Sequence, residues 1–186
     1  SVLRARLDAL EMDEATLERY GDGLRIEAPA SAYAEGDLSA IGTTGELQVL
    51  DSSGYLVLTG DDLASPAVTT VYDADNNPYP AVSFRPSEEA VQSLASLSAS
   101  ETLSVYLDGE LIATVGPSQL SENGTGFIPL TNYASAAEGA RAAQRLAAIL
   151  ASGEMPLDME NTRLETISPL LGENAGTLVS VAALAA

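Results

Sequence analysis

The run TLSVYLDGELIATV, Thr102 to Val115, sets apolar, strand-forming residues on both sides of an Asp108-Gly109 pair, and this leaves the backbone little choice there. Asp-Gly supplies the positive backbone angles that a two-residue hairpin turn demands. Two antiparallel strands are expected, with Asp108 and Gly109 as structural turn residues and not as chemistry. The hairpin lies between two stretches of helical period. Pro86-Ser87-Glu88-Glu89 opens the first, with acids where the helix dipole favours them and with Val91, Leu94 and Leu97 or Ser98 marking the buried side. Ser135-x-x-Glu138 has capping-box spacing and introduces GARAAQRLAAIL, where Ala140, Ala143, Ala147 and Leu150 share a face small enough to sit close on a sheet. Gly153 and Pro156 then stop that helix. A hairpin interleaved with helices is an α+β pattern.

The front of the chain follows the same class. Leu3, Leu7 and Leu10 fall on one helical face, so residues 2–10 read as a helix. ATLERYG and GLRIEAP read as strands joined at Gly21-Asp22-Gly23, 34–41 as a weaker helix and ELQVL (46–50) as a strand. Helix, strand, strand, helix, strand is most of a ferredoxin-like sheet that lacks its first strand. A polar break, Asp51-Ser52-Ser53-Gly54, separates this from YLVLTG, AVTTVYD and AVSF, with DNNPYP as a turn. NGTG then reads as a loop, FIPL as a strand and LDMENTRLETI as a last strand or strand pair. The opening Ser1-Val2-Leu3-Arg4 reads as helix and not as a leader. AGTLVSVAALAA, Ala175 to Ala186, is uncharged and falls short of the ~20 residues of a membrane span. It reads either as a short buried helix or as the approach to a membrane helix.

Composition removes whole classes of function. Twenty-seven acids against eight arginines, with no lysine, give a net charge of −19, which repels nucleic acid and anionic membrane surfaces. At 46% hydrophobic residues the chain is still globular. Without histidine or cysteine there is no Ser-His-Asp or Cys-His site, no disulfide and no zinc-thiolate centre. The remaining candidates weigh as structure. Asp73, Asp75 and Asn77 have the alternate spacing of a calcium loop, but Pro78 stands where its glycine belongs and Phe84 where its bidentate glutamate belongs, so a solvated turn is expected. Asp61 and Asp62, adjacent on a strand, point to opposite faces and cannot act as a pair. Asn123-Gly124-Thr125 is a formal glycosylation sequon read as a loop, and Arg141 with Arg145 as an exposed helical face. The sequence offers no catalytic, cofactor-binding or metal-ligating residue, and a carboxylate hydrolase finds no acid pair to work with.

Taken in order, LTGDDL (58–63), YPAVSFRPSEEAVQSLASL (79–97), LSVYLDGELIATV (103–115), RLAAILASGEMPLDME (145–160) and ISPLLG (167–172) resemble the large extracytoplasmic domain of SecD, a membrane subunit that assists the Sec translocation channel. VLRARLDALEMDEATLERYGDGLRIEAP resembles the family's helix-strand-strand opening, and IGTTGELQVL (41–50) the segment closing its base sheet. The family's Gly-rich first strand has no counterpart. The resemblance implies a ferredoxin-like base subdomain over 1–50 and 157–172, an inserted α+β head over 51–156, and 173–186 as the approach to or start of a membrane helix. It implies a soluble segment on the extracytoplasmic face of a bacterial cytoplasmic membrane, within a membrane-embedded full-length protein. The implied partners are an unfolded preprotein chain, a SecF-like subunit and a SecY-type channel, with an ion gradient read by membrane helices elsewhere. Crossings at Asp51, Ser52, Ser53, Gly54 and at Gly153, Pro156 are the expected hinge. The alternative is a free extracytoplasmic binding domain of the same fold without transport activity.

Overall fold

The computed structural model describes residues 1–21, 23–29, 37–155, 159–167 and 178–185. They fall into two compact units, Ser1–Thr44 with Met155–Ala186, and Gly45–Glu154. The α+β class expected from the sequence holds in both.

In the first unit, helix α1 (Val2–Ala9) is capped by Ser1, whose hydroxyl accepts from the Arg4 N–H, and it buries Leu3 and Leu7. Strands β1 (Thr16–Tyr20) and β2 (Gly23–Pro29) form the expected hairpin, paired from Thr16–Glu27 to Tyr20–Gly23. Helix α2 (Asp37–Gly42) overlaps the stretch read as a weaker helix and runs one residue past its end. The far end of the chain returns to this sheet as β10 (Met159–Ile167) and β11 (Leu178–Ala185), giving the antiparallel order β1-β2-β11-β10. The C-terminal run is thus corrected from helix to strand: Leu178 pairs with Pro29 and Leu184 with Gly23. An uncharged run of small and branched residues carries no marker between the two, and it takes the form that satisfies its backbone against β2 and β10. Among the described residues no helix is long and apolar enough to cross a membrane.

The second unit has two sheets. One, in the order β4-β3-β7-β8, is built from β3 (Leu47–Leu50), β4 (Leu56–Thr59), β7 (Leu103–Leu107) and β8 (Glu110–Val115). The other, β5-β6-β9, is built from β5 (Leu63–Tyr72), β6 (Pro78–Pro86) and β9 (Gly126–Pro129). Strand β3, expected to close the base sheet, belongs here instead: Val49 stands opposite Val105, and both are 1% exposed or less. A short alternating strand fits any sheet, and the buried face of β7 decides the matter.

Helix α3 (Glu88–Ala95) starts where its acids suggested, with Ser87 accepting from the Ala90 N–H. It buries Ala90 and Leu94, whereas Val91, expected inside, is 37% exposed. A short α4 (Pro117–Leu120) follows β8. Helix α5 (Ala136–Ser152) is capped by Ser135, which accepts from the Glu138 N–H at 3.2 Å. It packs on β5 and β6. The expected face holds at Ala143 and Ala147, which are buried, and at half-buried Leu150, but not at Ala140, which is exposed; Gly139, Ala142 and Leu146 complete the buried side. The principle of small residues allowing close approach holds at Gly139, where a Cβ would come within 2.7 Å of Pro80 Cγ.

Candidate functional site

The chain passes between the two units at Thr44–Gly45 and again at Glu154–Met155. Among the described residues, those next to both crossings are densely hydrogen-bonded. On the first unit's side, Arg6 is fully buried, an unusual place for a guanidinium. It donates from Nη1 to the carbonyls of Ala40 and Ile41, each at 3.3 Å, and to that of Thr43, and from Nη2 to the carbonyl of Thr44 at 2.9 Å. Four carbonyls at the end of α2 are thereby satisfied by one planar cation, which also complements the negative end of the helix. The Met155 N–H donates to the same Thr44 carbonyl at 2.8 Å, so the outgoing and returning strands of chain are tied together.

On the second unit's side, the Asp108-Gly109 turn performs a second task. Asp108 has φ 48° and Gly109 φ 80°, as the hairpin requires. The Asp108 carboxylate also accepts from the Gly45 N–H at 2.9 and 3.1 Å and from the Glu46 N–H at 2.8 Å. The Asp108 N–H donates to the Glu46 carbonyl at 2.9 Å. Gly45 itself has φ 84°, a conformation costly for any residue with a Cβ. On the return, Gly153 has φ 77° and donates to the Ile149 carbonyl, ending α5 as its place in the sequence suggested.

These bonds give a graded prediction. Asp108→Asn keeps a residue tolerant of positive φ and one acceptor oxygen, and should cost about 1 kcal/mol. Asp108→Ala loses both, and should cost about 2 kcal/mol, with amide exchange accelerating first at Gly45 and Glu46. A negligible loss for Asp108→Asn would mean that the carboxylate contributes nothing beyond the turn, and equal losses for the two variants that the tolerance of positive φ and the remaining acceptor contribute nothing.

The hinge expected at residues 51–54 is corrected. The Asp51 N–H donates to the Tyr55 carbonyl, the Gly54 N–H to the Asp51 carbonyl at 3.0 Å, and the Ser53 and Tyr55 N–H groups to Asp51 Oδ1 at 2.8 Å each. Ser52 bonds through its hydroxyl to Glu101. This is a closed β3–β4 turn inside the second unit, and Asp-Ser-Ser-Gly composition suits a tight turn as well as it suits a linker. Gly153 does stand two residues before the second crossing. Pro156 lies outside the described residues.

The other candidates are structural nodes. Asp61 and Asp62 sit in a 3-10 turn, Gly60–Asp62, and not on a strand. Asp62 accepts from the Thr59 N–H at 3.0 Å, the Thr59 hydroxyl at 3.2 Å and the Ser87 hydroxyl at 2.7 Å, joining this turn to the start of α3. Partial burial pushes its pKa up, but those hydrogen bonds outweigh it and hold the group below the ordinary 3.8. The depressed value means that the bonded carboxylate stabilises the fold above the ordinary carboxylate range, and that this is lost as pH falls through the folded value. Stability should therefore decline as the pH falls from about 5 through the folded value, which lies below 3.8, and Asp62→Asn should make that part of the profile shallower in denaturant melts. Asp73 spends its oxygens on the N–H groups of Asp75 and Asn77 and on the Asn77 side chain, closing the β5–β6 turn. Asn123 and Gly124 form a left-handed pair in an exposed loop. Arg141 is exposed, whereas Arg145 is half-buried. A groove of about 500 Å³ opens beside the start of α5, with Tyr79, Pro80, Pro129 and Tyr133 in its wall.

Sequence reasoning missed Arg6, Thr44, Gly45 and Met155. One signal was present: Arg6 interrupts the apolar stripe Leu3-Leu7-Leu10 at the position where a buried side chain belongs.

No protein-family profile matches the chain. It is similar to the protein translocase subunit SecD of Acidaminococcus fermentans, 27% identical over 178 residues and 94% of the chain. It is also similar to that of Dictyoglomus turgidum, 29% identical over 175 residues and 93% of the chain. The chain spans about two fifths of the length of these curated relatives, 40% and 42%. Among solved structures, SecDF in a super-membrane-facing form matches 87% of the chain and 26% of its own, with a TM-score of 0.60 at 20% identity. A second SecDF structure, of a membrane component that enhances protein export, matches 89% of the chain and 90% of its own, with a TM-score of 0.58 at 19% identity. The resemblance to SecD first read from short ordered motifs thus extends along nearly the whole chain, and the fold agrees with it.

Proposed function

We propose that this chain is the extracytoplasmic domain of a SecD-type subunit, which captures and releases an unfolded preprotein during Sec-dependent export. The observation that carries the reading is the likeness to SecD over 93–94% of the chain, at a length that is only part of that protein. In this reading the ion gradient acts through membrane helices elsewhere in the full-length protein, which also meets a SecF-like subunit and a SecY-type channel. The domain works on the extracytoplasmic face of the membrane, binding and moving a chain without catalysing a reaction.

Movement would be confined to the two crossings. The chain is fastened by Arg6 and Met155 up to Thr44 and by Asp108 from Gly45 onward, so each unit holds its own end firmly. Rotation of one unit against the other through a few backbone bonds is the hinge type of domain motion. Because the chain has no cysteine, cysteine pairs with one member in each unit can be introduced cleanly. In a full-length carrier, oxidation of pairs flanking the crossings should lower export of a reporter precursor about tenfold or more, and reduction should restore it. Undiminished export in every oxidised pair would reject the mechanism.

A further inference from the structure

Strand β5 is an edge: among the described residues it has β6 on one side and no strand on the other. The prolines of β6 reveal which backbone groups of β5 face outward. The Pro80 carbonyl accepts from the Leu130 N–H at 2.9 Å, so Pro80 turns its backbone away from β5. Thr70, which stands opposite Pro80, is then in a pair that exchanges no ladder bonds, and such pairs alternate along an antiparallel hairpin. Val68, Thr70 and Tyr72 therefore point their N–H and C=O groups out of the sheet, while Ala67, Thr69 and Val71 bond inward to β6. The same three outward-bonding residues share one face, on which Val68 is 49% and Tyr72 61% exposed.

Native edges are usually blunted by charge, proline or a bulge. Here no charged residue occurs from Leu63 to Tyr72. The irregularity between Ala64 and Ala67, with Pro66 and with Ser65 at φ 54°, interrupts only the beginning. Ala67 to Tyr72 remain in unbroken register, and Val, Thr and Tyr are good strand formers. Both ends of the strand are acidic, with Asp61 and Asp62 before it and Asp73 and Asp75 after it. A second copy is a poor occupant. It would bring the same acidic ends as the edge it meets, and each whole chain carries −19.

We propose that the Ala67–Tyr72 edge of β5 takes an added strand from an extended polypeptide with a neutral, strand-prone centre and basic residues at its ends. Affinity comes from the backbone groups of Val68, Thr70 and Tyr72, and selection from the two acidic brackets. The proposal deepens the export reading and rests on it for the source of the segment, an unfolded chain in transit.

The test uses the whole chain and a labelled synthetic peptide of alternating threonine and valine with a lysine pair at each end. Binding is followed by fluorescence anisotropy and by amide shifts at Val68, Thr70 and Tyr72. Thr70→Pro removes an outward N–H and gives up no bond to β6, as an edge proline should. It should weaken binding about tenfold or more while leaving the unfolding midpoint in place. Val68→Lys, which keeps every backbone bond, should weaken it as well, and a peptide with glutamate pairs in place of lysine should bind poorly. Unchanged binding in both variants, or shifts confined to another surface, would overturn the proposal. So would self-association of the chain that Thr70→Pro abolishes, since a second copy would then be the occupant. If Thr70→Pro stops peptide binding but full-length export runs at the wild-type rate, the edge stands and the export reading fails. If the oxidised cysteine pairs stop export but the peptide ignores the edge, the reverse holds.

Discussion

Arg6→Met should destabilise the first unit by about 3–5 kcal/mol, although it removes a charge from the interior and fills similar space. Methionine is welcome in a core, and burial of a cation costs free energy, so burial alone would forecast a gain. The carbonyls reverse the sign. The guanidinium serves those of Ala40, Ile41, Thr43 and Thr44, and without it the buried C-terminal end of α2 loses its donors. Arg6→Lys should recover less than half of the loss, because an ammonium is a point donor that cannot span the same fork. Urea unfolding followed by circular dichroism gives the magnitude. Hydrogen exchange gives the place: protection should fall at α2 and Met155 before it falls in β7 and β8. A loss below about 1 kcal/mol would mean that water replaces the guanidinium and that Arg6 is dispensable.

What was legible in the sequence was legible for local reasons. Asp108-Gly109 specifies its own turn within a few residues, and Ser87 and Ser135 specify helix starts in the same way. Readings that depended on a distant partner fared differently. ELQVL contains nothing that names β7 as its neighbour, so its assignment to the base sheet was open to reversal. Ala140 was misplaced because alanines occur all round α5, and Gly139 against Pro80 helps to set which side sits down. The second role of Asp108 was invisible, since it joins residues more than 60 positions apart. Arg6 left a signal that went unread. A cation set in an apolar helical stripe implies acceptors nearby, and the end of α2 supplies them.

Gly126→Ala should cost the second unit about 3 kcal/mol, the upper part of the range for overpacking, although it adds a single methyl group. Gly126 is not among the glycines with positive φ, so its need for glycine is one of space. A Cβ there would overlap the Leu120 carbonyl oxygen and the ring of Phe84, whose Cε2 would lie 2.5 Å away. Neither neighbour can retreat, because Leu120 is 0% and Phe84 2% exposed, and Phe84 stands directly opposite Gly126 across the β6–β9 ladder. Two comparisons separate this account from a general intolerance of the loop. Gly124 has φ 78° but open space around it, so Gly124→Ala should cost only the backbone strain, about 1 kcal/mol. In a double-mutant cycle, Phe84→Leu should relieve the ring overlap and not the carbonyl overlap, leaving a favourable coupling of about 1–2 kcal/mol with Gly126→Ala. Equal penalties at Gly124 and Gly126, or strict additivity with Phe84→Leu, would show that packing against Phe84 is not what keeps this position glycine.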